Sequence, residues 1–162
     1  MSLDLDIISS RPIKHKGTGV YVRKEGETIE LKTLDEVMAY FPDSDLSNIN
    51  EVEYEDNIVW HGNITHNLGQ MASNIPVNDK TLYYYLWRPE EIGFNYVNED
   101  YINAIKTGYE YLKANQEKLE RFNAPNGWGT YDNLLNFVES LYVCLEGLTI
   151  QYSDDYSIVS DV

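Results

Sequence analysis

Leu3, Leu5 and Ile7 alternate with Asp4 and Asp6 at the very start of the chain. Because a strand repeats every two residues, this segment buries one face and leaves the other to water. A half-solvated strand of this kind belongs to a mainly antiparallel sheet. Asp4 and Asp6 share the polar face, where two exposed carboxylates are a more common outcome than a cation site. Arg11-Pro12 is expected to close the strand. Near the other end, Leu148, Ile150 and Tyr152 alternate with Thr149 and Gln151, and this segment is expected to pair with the first strand. Ser153-Asp154-Asp155 reads as a turn. Tyr156 to Val159 is then either an edge strand or part of a loose acidic end.

Between these strands the pattern turns helical. Val20 to Arg23 and Thr28 to Leu31 flank Lys24-Glu25-Gly26-Glu27 and read as a hairpin. Thr33 with Glu36 reads as a capping box, and Leu34, Val37, Met38 and Phe41 share one face of a short helix that Pro42 ends. After a polar loop over 43–50, Val52, Tyr54 and Ile58 to Trp60 suggest another strand. Thr81 to Trp87 forms a short helix with Leu82, Tyr85 and Leu86 inward. A long helix is expected from Asn98 to about Arg121, and a last one starts at Thr130 or Asp132 with Leu134, Leu135, Val138, Leu141, Tyr142 and Leu145 inward. The expected fold is therefore α+β: a small mainly antiparallel sheet packed against two longer C-terminal helices and short site helices. Residues 1–162 form a single domain, with 13–60 as an inserted hairpin-helix elaboration.

The 162 residues carry 27 acidic and 12 basic side chains, a formal net charge of −15. Such a chain repels polyanions, which argues against direct nucleic-acid binding and against anionic membrane surfaces. The excess is spread along the chain, which favours an ordinary acidic protein over an acidic DNA mimic. The lone Cys144 excludes an intramolecular disulfide and sits in an apolar helical run. No charged-then-apolar leader or bilayer-length apolar run is present, so a cytoplasmic location is expected.

Polar side chains concentrate in Asn63-Ile64-Thr65-His66-Asn67 and in Trp87-Arg88-Pro89-Glu90. Thr65 is placed as the N-cap of a short helix with Leu68, Met71 and Ala72 inward, so His66 and Asn67 fall in its first turn, among unpaired N–H groups. The competing reading makes Asn63 and Asn67 turn formers and His66 a surface residue. Arg88 is either a weak ion pair with Glu90 and Glu91 or a two-pronged clamp for carboxylate or phosphate. Pro125-Asn126-Gly127-Trp128-Gly129 fixes an unusual turn, in which the indole is a stacking platform or the buried corner of a helix-to-helix turn.

Three segments, Asn-Ile-Thr-His-Asn-Leu-x-x-Met-Ala over 63–72, Leu-Trp-Arg-Pro-Glu-Glu over 86–91 and Asn-Gly-Trp-Gly-x-Tyr over 126–131, resemble in order a family of small phage and bacterial proteins with no assigned activity. The resemblance implies a shared site built from Asn63, His66, Asn67, Trp87, Arg88, Glu90, Asn126, Trp128 and Tyr131, with Thr65 inside the first motif. Residues 13–60 and the tail after Tyr152 go beyond the family pattern, and are expected to cover the site or to form a contact between copies. His61 lies outside the pattern, which weakens any metal pair with His66.

No catalytic triad, metal-ligand series or phosphate loop is present, so no cofactor is assigned. The set is rich in donors and stacking rings and poor in nucleophiles, which favours binding of a small polar ligand of the nucleotide or sugar-phosphate kind, and the resemblance to phage proteins implies sequestration of a host defence signal as its role. A second reading is an acidic inhibitor or DNA mimic that occupies a host protein. A third is a hydrolase with His66 as its acid-base group, oriented by Asp4, Asp6 or Glu90.

Overall fold

A computed structural model of the chain describes residues 2–24 and 27–162. Its main sheet has three antiparallel strands in the order β4-β1-β7, formed by Val52–Thr65, Ser2–Gly17 and Tyr156–Asp161. The alternation read at the start of the chain holds: Leu3, Leu5 and Ile7 are wholly buried, while Ser2, Asp4, Asp6 and Ile8 face the partly solvated side. Asp4 sits opposite Asn63 on β4 and Asp161 on β7, and Asp6 opposite His61 and Val159.

Two strand expectations need correction. Arg11-Pro12 does not close β1, which continues to Gly17 across a register shift between Ile8 and Ile13. Pro12 falls inside that irregularity, where a missing N–H breaks no ladder bond. The segment Leu148–Tyr152 is not a strand. Asp155 Oδ2 accepts from the N–H of Gln151 and of Tyr152, at 2.7 and 3.0 Å, and so takes amides that a ladder would need. Those two hydrogen bonds also hold the Asp155 carboxyl below its ordinary range. The paired C-terminal strand is instead Tyr156–Asp161.

Two 16-residue helices, α4 (Glu99–Ala114) and α6 (Tyr131–Glu146), cover the buried side of the sheet. Asn98 caps α4 through the N–H of Tyr101, and Thr130 with Asn133 forms a capping box on α6. The long helix expected to reach Arg121 is broken at Asn115, whose side chain donates back to the Tyr111 carbonyl while its own backbone leaves helical values. A separate α5, Gln116–Glu120, follows. On the sheet side, Trp60 meets Phe137 of α6 edge-on at 5.2 Å and donates its indole N–H to Ser140 Oγ. After a two-residue pair of strands, β5 (Pro76–Val77) with β6 (Lys80–Thr81), the short α3, Leu82–Trp87, buries Leu82, Tyr85, Leu86 and Trp87 against this same core. No helix among the described residues is long and apolar enough to cross a membrane.

Residues 13–60 contain the expected hairpin, β2 (Val20–Lys24) with β3 (Glu27–Leu31), and then α1 (Leu34–Tyr40), but the ends of this span, 13–17 and 52–60, belong to β1 and β4 of the main sheet. The turn at Glu25-Gly26 lies outside the described residues. Thr33 caps α1, but Glu36 accepts from the N–H of Lys32, one residue short of a reciprocal capping box. Met38 and Phe41, expected inward, are exposed; Val37 is the residue that α1 buries. Leu31 and Val37 stand apart from the principal core, so this arm has a small apolar centre of its own.

A carboxylate fastens the arm to the sheet. The Glu30 side chain is 9% exposed, and it accepts from Lys32 Nζ at 2.9 Å, Tyr54 Oη at 3.0 Å and the N–H of Gly19 at 3.1 Å. It fits because position 17 is glycine: a Cβ there would lie within 2.5 Å of the carboxylate. Burial pushes the Glu30 pKa up, but the hydrogen bonds and the Lys32 charge outweigh it and leave the group below its ordinary value. Its contribution to stability is therefore complete above the ordinary glutamate range and is lost as pH falls through the lower folded value. Urea denaturation from neutral to acid pH is expected to show a shallower loss of stability in Glu30→Gln than in the natural chain. Parallel curves would mean that Glu30 does not couple the arm to the fold.

Candidate functional site

β4 runs straight into the first motif and ends at Thr65. A single 3-10 turn, His66–Leu68, leads into the four-residue α2, Gly69–Ala72. Leu68, Met71 and Ala72 are buried as expected, while His66 and Asn67 are exposed. Thr65 occupies the cap position, but its side chain makes no capping hydrogen bond. Turns this short align few peptide dipoles, so the helix-start electrostatics expected here are small.

The first and third motifs meet. Gly129, at φ 102°, lies so close to the end of β4 that a Cβ on it would come within 2.8 Å of Thr65 Cγ2 and 3.3 Å of Leu68 Cγ. Asn67 Nδ2 donates to the Trp128 carbonyl at 3.2 Å, and the Trp128 N–H donates to Asn126 Oδ1 at 3.0 Å. The loop is closed by Ala124 N–H on the Gly129 carbonyl and by Gly127 N–H on the Ala124 carbonyl. Its backbone is thus fixed while the Trp128 side chain stays outside, 66% exposed. Beside this seam lies an open groove of about 750 Å³, lined by Asn67 and Gln70 on one wall and Arg121 to Asn126 on the other.

The remaining predicted residues are placed elsewhere. Trp87 is wholly buried, stacked on Tyr83 at 5.4 Å, and its Nε1–H has no hydrogen-bond partner among the described residues. Tyr131 is also a core residue: its hydroxyl donates to the Leu112 carbonyl, and burial raises its pKa. Arg88 is half-buried and forms no ion pair with Glu90 or Glu91. Glu90 instead accepts from Ser160 Oγ on β7, which also lies 3.2 Å from the Trp87 carbonyl. Asn63 stands on the outer sheet face, donating to Asp4 Oδ1 at 2.7 Å and to Ser2 Oγ at 3.1 Å.

Two of the three acids expected to orient His66, Asp4 and Asp6, are found around His61, and the third, Glu90, bonds Ser160. Asp6 Oδ1 lies 2.6 Å from His61 Nδ1, and Asp4 Oδ1 lies 3.9 Å from Nε2. Period-2 spacing puts His61 and Asn63 on one strand face, but that this face meets Asp4 and Asp6 follows from the pairing of β4 with β1. Arg121 and Asn123 were also missed as groove residues; the sequence shows them as a helix end, and their partnership with Asn67 depends on how the chain folds back. Among the described residues, no group of three or more His, Cys, Asp or Glu side chains is arranged to hold a metal.

No protein-family model, curated protein or solved structure matches this chain. The geometry of the seam therefore carries the functional argument.

Gly129→Ala combines an unfavourable left-handed backbone with the Thr65 contact, and is expected to destabilise the protein by roughly 1–2 kcal/mol or more. Thermal unfolding gives the magnitude, and amide exchange at Asn126 to Thr130 reports whether the loop has come away from Thr65. Natural-like protection there would show that the seam does not depend on this approach.

Proposed function

We propose that the protein binds a small polar molecule in the groove between Asn67-Gln70 and Arg121-Asn126. The reading rests on one observation: two separate chain segments are joined through Gly129 and Asn67, Asn126 fixes the loop on one side of that seam, and the Trp128 backbone bonded to the groove-lining Asn67 and Asn126 holds its ring out of the core. An indole left in water has no packing role, and rigid loops that present aromatic rings are favourable recognition surfaces because little side-chain entropy is lost on contact. The lining supplies amides and a guanidinium but no nucleophile with an adjacent base, so binding without turnover fits it better than catalysis. His66, exposed and away from the acids around His61, does not have the oriented partner that a hydrolase would need. A protein of this kind acts by sequestering its ligand, and a host signalling molecule is the proposed cargo.

Trp60 is half-buried, Trp87 is buried and Trp128 is exposed, so iodide quenching of fluorescence reports mainly on Trp128. Protein purified gently from its own cells is expected to carry an extra mass by native mass spectrometry. Denaturing and refolding should release that mass and make Trp128 more accessible to iodide. A bare mass together with unchanged quenching would overturn the reading.

The outer sheet face supports a second reading, an acidic surface for a basic host protein. Asp4 and Asp161 stand directly opposite each other there, with Asp6 on the next outward position of β1. Like charges in this register disfavour the free sheet and would be relieved by a partner's lysine or arginine. Association through this face is expected to weaken steeply with added salt and in Asp4→Asn/Asp161→Asn; salt-insensitive binding would exclude it.

A further inference from the structure

The groove is lined by Asn67, Gln70, Arg121, Phe122, Asn123, Ala124, Pro125 and Asn126, with no carboxylate among them, although 27 of the 162 residues are acidic. Arg121 makes no ion pair among the described residues; its guanidinium lies over the Phe122 ring, 5.4 Å from the centroid. The asparagines are oriented by backbone groups that admit one assignment. A backbone N–H must meet an oxygen, so Asn126 Oδ1 is held by the Trp128 N–H and Asn123 Oδ1 by the Tyr131 N–H, at 3.0 and 2.7 Å. Both amides therefore keep their NH2 ends free of these bonds. Asn67 is turned the other way by the Trp128 carbonyl, which can only accept, and keeps its oxygen.

From this donor inventory, and resting on the groove as the binding site, we infer that the ligand presents an oxyanion, a phosphate or carboxylate, to Arg121 with the Asn123 and Asn126 amides as further donors. Guanidinium matches either group through two parallel N–H bonds, and its cation–π contact with Phe122 leaves those N–H groups without a carboxylate partner among the described residues. Fixed neutral donors beside it add hydrogen bonds without adding competing charge. A terminal arginine on the five-residue α5, with Glu117 and Glu120 on the same short helix, would gain a little from the helix dipole in any case, but that accounts neither for a groove lining without a carboxylate nor for the orientation of the two amides.

The test is an amide-shift titration of the full chain with adenosine monophosphate, benzoate and uncharged adenosine, repeated on Arg121→Gln and Arg121→Lys. Saturable shifts in Asn67, Gln70 and Arg121 to Asn126 are expected with the phosphate or the carboxylate, and those with adenosine should be much weaker. The preferred anion identifies which oxyanion the groove takes. Arg121→Gln should weaken the anion about tenfold or more, with Arg121→Lys in between, because one charge-assisted pair is lost from an exposed position. Equal binding of adenosine and its monophosphate, unchanged by Arg121→Gln, would overturn the oxyanion inference while leaving the groove as a polar-ligand site. No shift in the groove with either anion would also overturn it, and the broader reading would then stand or fall on the native mass and Trp128 quenching.

Discussion

Leu3, Leu5 and Ile7 are wholly withdrawn from water on the middle strand of the main sheet, and the placement of the other elements follows from keeping them there. Their side of β1 has to be roofed, and α3, α4 and α6 supply the apolar surface that does so. The pleat then sends Asp4 and Asp6 outward, where His61, Asn63 and Asp161 surround them. A one-residue slip in pairing would exchange these two sets, placing carboxylates in the core. Register is therefore strongly specified at this end of the sheet.

The same register fixes where β4 stops. Thr65, opposite Ser2, is the last paired residue, and the chain turns there into two short helical turns that the Asn126–Thr130 loop touches. That loop is anchored at its far side by the capped start of α6, whose Tyr131 is tied into the core through the Leu112 carbonyl. The candidate groove is thus a junction between a strand end and a helix start, both rigid. Its wall on the Arg121 side comes from the turn that follows α5, and the break at Asn115 is what separates α5 from α4.

Much of the architecture was legible in the sequence because periodicity reports burial directly. The α+β class, the stripe of β1, the caps at Thr33 and Asn98, the inward face of α3 and most of that of α6 follow from local spacing, although the wholly buried Phe137 was not among the α6 residues expected inward. What misled was local competition between side chain and backbone. Asn115 interrupts a helix whose apolar stripe continues through it, and Asp155 takes the amides of a segment with good strand alternation. The site was legible in part. The sequence singled out Thr65, Asn67, Asn126 and Trp128, which do come together, but Trp87 and Tyr131 are polar-edged aromatics that serve the core. Arg121 and His61 owe their surroundings to contacts distant in sequence, which no short motif encodes.

β1 precedes both of its neighbours, and the two pairings differ greatly in reach: Asp4 meets Asn63 on one side and Asp161 on the other. In sequence order β4 comes well before β7, so the β1 edge that meets β7 has its partner available last. Long-range closure of this kind slows folding and leaves an unpaired strand edge open to other chains in the meantime. Until β7 arrives, the segment Asn95 to Val97, which bonds to β7 in the finished fold, also has no strand to meet. β7 thus completes two contacts at once, the free edge of β1 and the Asn95–Val97 segment.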